Sequence, residues 1–151
     1  MRILQVITDT DRRGAQLFAR DLAGALGETG HSVQTVALAP GAVGGLDVEI
    51  LATRRRSPVA VWDLRRRMAR VDVTIAHGSV TGPACALAGQ GTGRPFVYRQ
   101  VSDSRYWAPG PIRRERVRRT LERADRVVTL SEYNRGELVQ WIGVPDERIR
   151  V

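Results

Sequence analysis

Between Arg2 and Leu38 the chain passes from an apolar run, Ile3-Leu4-Gln5-Val6-Ile7-Thr8, through a short polar loop to Gly14-Ala15-Gln16. An amphipathic stretch follows, ends at Gly30-His31, and gives way at once to a second apolar run from Val33 to Leu38. Strand, glycine turn, helix and strand in so short a span define a βαβ unit, which commits the chain to parallel strands joined by a crossover helix. The loop sets the free amides of the helix N-terminus beside the carboxyl end of the first strand. Such a corner suits a phosphate or a sugar hydroxyl.

The rest of the chain repeats strand then helix with little filler, which predicts a doubly wound α/β domain. Val48 to Leu51 reads as a short third strand. Ser57-Pro58 then opens a helix with serine as N-cap and proline in the first turn, running to about Arg70 with Val61, Leu64 and Met68 as its buried stripe. Asp72 to Ala76 forms a strand ending at His77-Gly78-Ser79, and a small-residue helix spans about 81 to 88. Phe96 to Val101 is the next strand, and it ends in a polar and aromatic loop, 102–107. An arginine-dense helix follows Pro109-Gly110-Pro111, with Val117, Leu121 and Ala124 inward and Glu115 facing Arg119 one turn on. Arg126 to Leu130 is a sixth strand, Ser131-Glu132 opens a last helix with Leu138 and Ile142 inward, and another strand begins at Ile149. In the first helix, residues 15–28, Phe18, Leu22, Ala25 and Leu26 share one face and are assigned to the core.

A chain of 151 residues with 42% hydrophobic content suffices for one globular domain. No apolar run is long enough to cross a bilayer, and Arg2 leads straight into a strand rather than a signal peptide, so a cytoplasmic location is expected. All 24 basic residues are arginine, and the net charge is +8. Arginine pairs bidentately with phosphate and carboxylate and stays charged at any working pH, so an anionic partner is plausible. The lone Cys85 lies among Ala84, Ala86 and Leu87 and reads as a small core residue. His31, just past a helix end, reads as a capping residue rather than a metal ligand, and no metal site is expected.

These landmarks together carry a resemblance. Residues 1–151 are similar to the N-terminal half of a family 4 (group 1) glycosyltransferase of the GT-B fold. The matching segments are Met1 to Ile7 with Gly14-Ala15-Gln16, Leu22, Gly30-His31-Ser32-Val33, Asp72-Val73 to His77, and Ala124-Asp125-Arg126-Val127-Val128 with Leu130-Ser131-Glu132. Gly143-Val144-Pro145 with Arg148 to Val151 resembles the family segment that leads into the second domain.

The resemblance implies a Rossmann-like, three-layer αβα domain that is one half of a GT-B fold. It implies an acceptor-binding role in a retaining glycosyltransferase. The nucleotide-sugar donor is held mainly by a C-terminal domain that this chain lacks, and the domain itself binds no cofactor. Residues 1–151 alone are therefore expected to be catalytically silent, because stabilising a leaving diphosphate needs groups on both sides of a closed cleft. In the family pattern the loop before Gly14 and Ala15 approaches the donor diphosphate and the acceptor. His77 and Gly78 match the end of the fourth strand near the acceptor site, where a histidine can bond a sugar hydroxyl. Many relatives place a second histidine where this chain has Val101, so a contact to the donor sugar falls to Gln100, Ser102 or Asp103. Some relatives with lipid-linked acceptors dock on anionic bilayers through the helix after Pro58, where Trp62 beside Arg65 and Arg66 fits an interfacial anchor peripheral to the inner membrane face.

The alternative reading is a basic module that binds nucleic acid or an anionic membrane without catalysis of its own, since clustered arginines form an electrostatic footprint for phosphates. No helix-turn-helix, zinc-ligand spacing or RNP-like strand supports nucleic acid. A dinucleotide dehydrogenase is disfavoured because Asp11-Arg12-Arg13-Gly14 lacks the three-glycine spacing.

Overall fold

The computed structural model describes every residue from Met1 to Val151. Its strands are β1 (Arg2–Ile7), β2 (Ser32–Ala37), β3 (Glu49–Ile50), β4 (Val73–His77), β5 (Phe96–Arg99), β6 (Arg126–Val128) and β7 (Ile149–Arg150). The α-helices are α1 (Gly14–Glu28), α2 (Pro58–Met68), α3 (Thr81–Ala88), α4 (Ser104–Trp107), α5 (Pro111–Leu121) and α6 (Glu132–Glu137). The seven strands form one sheet in the order β3-β2-β1-β4-β5-β6-β7, and every pairing is parallel.

Strand order reverses between β1 and β4. The chain runs outward from β1 through β2 to β3, then returns to add β4 to β7 on the other side. Ligands of open α/β sheets bind at such a switch point, beyond the carboxyl ends of the strands. Because parallel crossovers are right-handed, reversing the direction of travel also reverses the face on which the connection lies. The three layers are accordingly unequal. Helices α2, α3, α5 and α6 share one face and bury a cluster of 23 residues against the sheet, whereas α1 on the opposite face buries a second cluster of only three, Ile7, Ala19 and Ala37.

This asymmetry corrects the expected core of α1. Phe18 is 41% exposed and Ala25 is exposed, and the side chains buried from this helix are Gln16 and Ala19. The periodicity of α1 is real, but few elements lie on its face to close over it. The other expected stripes hold: Leu64 and Met68 of α2 and Leu121 of α5 are fully buried, as is Cys85, whose thiol burial pushes far up its ordinary pKa. The expected capping by Ser57 is present, its Oγ accepting from the Val59 amide at 3.2 Å. Glu115 pairs with Arg119 at 2.7 Å, and with Arg118 as well. His31 sits past the end of α1, with Nδ1 3.4 Å from the amino terminus.

Two local features depart from the pattern. Residues 102–107, expected as a loop, contain the one-turn helix α4, which Asp103 caps by accepting from the Arg105 amide at 2.7 Å. Helix α6 widens into a π-helical turn over Leu138–Ile142 before Gly143 reverses the chain. No helix is long and apolar enough to cross a membrane.

Candidate functional site

The β1–α1 corner is organised by a residue that the sequence pattern does not single out. Asp9, two residues past β1, has a fully buried side chain. Its Oδ1 accepts from Gln16 Nε2 at 2.9 Å, and its Oδ2 accepts from Arg13 and from Arg55, the latter at 2.7 Å. Arg13 immediately precedes α1, while Arg55 arrives from the loop after β3. Both guanidiniums remain about half exposed, at 55% and 47%. A buried carboxylate thus fixes two cations whose outer N–H groups face solvent. Beside them, the N-terminus of α1 has no side-chain cap, because its N-cap residue is Arg13. Asp11 turns away to accept from the amides of Val43 and Gly44, which lowers its pKa and ties the 41–45 loop to the corner.

Gly14 is the first residue of α1, with Ala15 behind it half-buried. A Cβ built on Gly14 meets nothing within 4 Å, so neither folding nor turning demands a glycine there. Gly78 differs: its φ of +91° and the approach of Val101 Cγ2 to 3.0 Å from a built Cβ make it a backbone requirement. Val101 packs over this turn.

His77 closes β4 and is 1% exposed. Gln5 donates through Nε2 to the Ala19 carbonyl, which leaves its Oε1 facing His77 Nε2 at 2.7 Å. The bond requires a proton on Nε2, so Nδ1 carries a lone pair, and that atom is buried without a partner. Burial, and then the Arg99 guanidinium, push the His77 pKa down to about 4. Phe18 lies over the site, its ring 6.2 Å from the imidazole and covered in turn by Arg99 at 3.5 Å. The histidine is therefore held neutral beneath an aromatic and a cationic layer.

Gln100 is 1% exposed and braces the next loop, donating to the Ser102 carbonyl at 3.0 Å and to Ser104 Oγ at 2.9 Å. Ser102 is exposed and its carbonyl also accepts from Trp107. Asp103 caps α4 and stands against Glu137 of α6. The structure thus places Gly14 and Ala15 at the corner, His77 and Gly78 at the adjoining strand end, and Gln100, Ser102 and Asp103 farther along the same edge. Trp62, Arg65 and Arg66 lie apart on α2. Trp62 is 59% exposed beneath the Arg66 guanidinium at 4.7 Å, and Arg65 is tied to the Gln90 carbonyl. No group of three or more His, Cys, Asp or Glu side chains is arranged to hold a metal ion.

The sequence pattern does not single out Asp9, Arg13, Arg55, Phe18 or Arg99 as site residues, and it assigns Phe18 to the core. Asp9 left a faint signal, an acidic residue directly after a buried strand. The Arg54-Arg55-Arg56 cluster is visible in sequence, but nothing there distinguishes the member that reaches back across 46 positions.

The sequence model of glycosyltransferase family 4 matches residues 12–151. The chain belongs to that family. Among solved structures, Anabaena HepE in complex with UDP and glucose aligns with a TM-score of 0.80 at 18% identity, covering 100% of this chain and 43% of HepE. A glycosyltransferase from Rickettsia africae aligns at 0.65 with 17% identity, over 99% of this chain and 42% of its own. An α-glucosyltransferase in complex with UDP aligns at 0.66 with 15% identity, over 93% of this chain and 38% of its own. No curated protein sequence matches the chain. The family 4 domain therefore spans less than half the length of these structures and has the fold of one Rossmann-like half of a GT-B glycosyltransferase.

Proposed function

We propose that this family 4 domain is the acceptor-side half of a retaining glycosyltransferase, which transfers a sugar from a nucleotide-sugar donor to an acceptor hydroxyl across a cleft completed by a second Rossmann-like domain. The observation that carries the reading is the β1–α1 corner, where buried Asp9 aims Arg13 and Arg55 beside an uncapped helix N-terminus. Negative charge builds on the diphosphate as the glycosidic bond breaks. Prearranged cations and amides stabilise that charge without reorganising at the moment of reaction. HepE, bound to UDP and glucose, supports a nucleotide-sugar donor for the whole protein. The expected acceptor contacts at His77 and Gly78, and the expected donor-sugar contact from Gln100, Ser102 or Asp103, belong to this reading.

The test is nucleoside-diphosphate release by the full-length protein against a panel of nucleotide sugars, with product anomer assigned by NMR. Release with retention, reduced by Arg13→Ala and Arg55→Ala, is the expected result. No release from any donor would overturn the reading.

A second reading concerns location. Trp62 and Val59 are 59% and 62% exposed on α2 beside Arg66, an arrangement that fits docking at the inner, anionic face of a membrane and a lipid-linked acceptor. Sedimentation with phosphatidylglycerol vesicles, compared with phosphatidylcholine vesicles and a DNA duplex, tests it. Binding lost in Trp62→Ala supports the docking face, whereas binding to neither vesicle or preference for DNA refutes it.

A further inference from the structure

A groove of about 420 Å³ runs along α6 beside α4, lined by Arg105, Tyr133, Glu137, Gln140 and Trp141 among others. It opens on the same sheet edge as the corner, since α4 follows β5 and α6 follows β6. Glu137 lies in its wall, and the residue is only 4% exposed. Its Oε1 accepts from Tyr133 Oη at 3.2 Å and pairs with Arg105 Nε at 2.9 Å. Its Oε2 is buried and receives no N–H or hydroxyl donor from the protein, and the Glu137 carboxyl lies against that of Asp103, to which it hydrogen-bonds when one of the two acids is protonated. A buried pair of acids is costly when both are ionised, a cost that a shared proton or a hydroxyl donated by a ligand relieves. Burial, and then Asp103, raise the Glu137 pKa.

The wall is not built for packing alone. The π-helical turn Leu138–Ile142 widens the helix where Gln140 and Trp141 project, and such turns recur at functional sites. Trp141 is half-buried, anchored by Nε1 to the Ala108 carbonyl at 3.3 Å and covered by Arg114 at 4.2 Å. Arg105 is the groove's lone guanidinium and is balanced by Glu137 with Asp103 beside it, whereas the corner sets two guanidiniums on one buried carboxylate. The groove offers an acceptor for hydroxyls in Glu137, an amide in Gln140, and the exposed ring of Tyr133. That set recognises a neutral polyhydroxylated ring rather than an anion.

We propose that this groove is a saccharide subsite, formed by Glu137, Tyr133, Gln140 and Arg105, that holds a non-reacting ring of the acceptor. The proposal rests on the glycosyltransferase reading and adds the acceptor's class. Three strand spacings separate β1 from β6, about 14 Å along the edge. One sugar ring does not span that gap, so an acceptor engaging both ends is an oligosaccharide or an extended glycoside.

The experiment is a ¹⁵N NMR titration of the 151-residue chain with methyl α-glucoside, maltose, maltotriose and myo-inositol, and with sodium phosphate for comparison. The expected result is millimolar saccharide binding that shifts the Trp141 indole and Gln140 amide signals, strengthens from one ring to three, and weakens about tenfold in Glu137→Gln. Gln140→Ala changes only the exposed rim, and Tyr133→Phe removes one hydrogen bond to Glu137 while leaving its Arg105 pair in place; the two keep the test decisive if Glu137→Gln does not fold. Phosphate should shift the Arg13–Ala15 signals instead. The proposal is overturned if no saccharide moves the groove signals up to about 100 mM, or if the shifts persist unchanged in the rim variants. Failure of nucleotide-sugar turnover in the full-length protein would leave this binding result standing, so the two readings fail separately.

Discussion

Replacing Asp9 separates an organised anion site from mere positive charge, because the two accounts predict opposite signs. Asp9→Ala raises the net charge from +8 by one, so charge alone predicts tighter binding of pyrophosphate. The geometry predicts weaker binding, since Arg13 and Arg55 lose the carboxylate that holds them in place. The stability cost follows from the same contacts. Gln16 Nε2 loses its 2.9 Å acceptor in a buried position, which costs about 1–2 kcal/mol. The two ion pairs involve half-exposed guanidiniums that water can re-solvate, and they add about 0.5–1 kcal/mol each. The sum is about 3 kcal/mol, a fall of roughly 6–12 °C in Tm for a domain of this size. Arg55→Ala leaves Asp9 paired with Arg13 and Gln16, so it should cost only about 1 kcal/mol. Urea denaturation gives the stabilities, and calorimetric titration with pyrophosphate gives the affinities. A stable Asp9→Ala protein that binds pyrophosphate as tightly as the parent would refute the reasoning.

His77 titrates near 6.5 when unfolded and near 4 when folded, so the unfolded chain takes a proton that the folded chain refuses between those values. Its effect is absent above pH 6.5 and destabilises the fold as pH drops, by about 2 kcal/mol at pH 5; denaturation curves of parent and His77→Gln should show the parent losing that much more stability between pH 7 and pH 5. Cys85 is fully buried with its pKa raised, so Ellman's reagent should label it only at the rate of unfolding, and prompt labelling under native conditions would contradict the core placement. Gly78→Ala forces a positive φ and crowds Val101, costing about 1–3 kcal/mol by thermal melting. Gly14→Ala meets open space, so its Tm should hold within about 1 °C, and a fall in turnover by the full-length protein would then report ligand approach.

The strand–helix alternation was legible because the strands are short and mostly apolar and most lead into a helix, the start of α2 being marked by Ser57-Pro58. Those signals are local. Burial was legible for Leu64, Met68 and Leu121, which face a layer of four packed helices. It was not legible for Phe18 and Ala25, since an apolar stripe states which face is apolar and not whether anything covers it. Helix α4 has four residues, too few for any periodicity, and the π-helical turn after Glu137 arises from packing rather than composition. The site residues divide the same way. Gly14 and His77 stand at strand and helix ends that the pattern marks, whereas Arg55 and Glu137 acquire their roles only through contacts with Asp9 and with Arg105 and Asp103.

Arginine illustrates the same limit at the level of charge. A net charge of +8 suggests one anion-binding surface, yet many of the guanidiniums are spent internally. Arg67 bonds Glu49 and Asp63 and is only 20% exposed, Arg118 joins Glu115 and Glu122, and Arg135 chelates Asp146 at 2.6 and 2.7 Å. Such pairs hold helices to loops and to each other, and they offer little to an external phosphate. What distinguishes Arg13 and Arg55 is that two guanidiniums share one buried carboxylate, so the pair carries excess positive charge and each member retains outward N–H groups. A surface cation pair aligned by a buried carboxylate loses little side-chain entropy when an anion arrives, whereas a free arginine must be ordered by the ligand itself. Anion affinity in this domain should therefore follow the arrangement around Asp9 far more closely than the number of arginines.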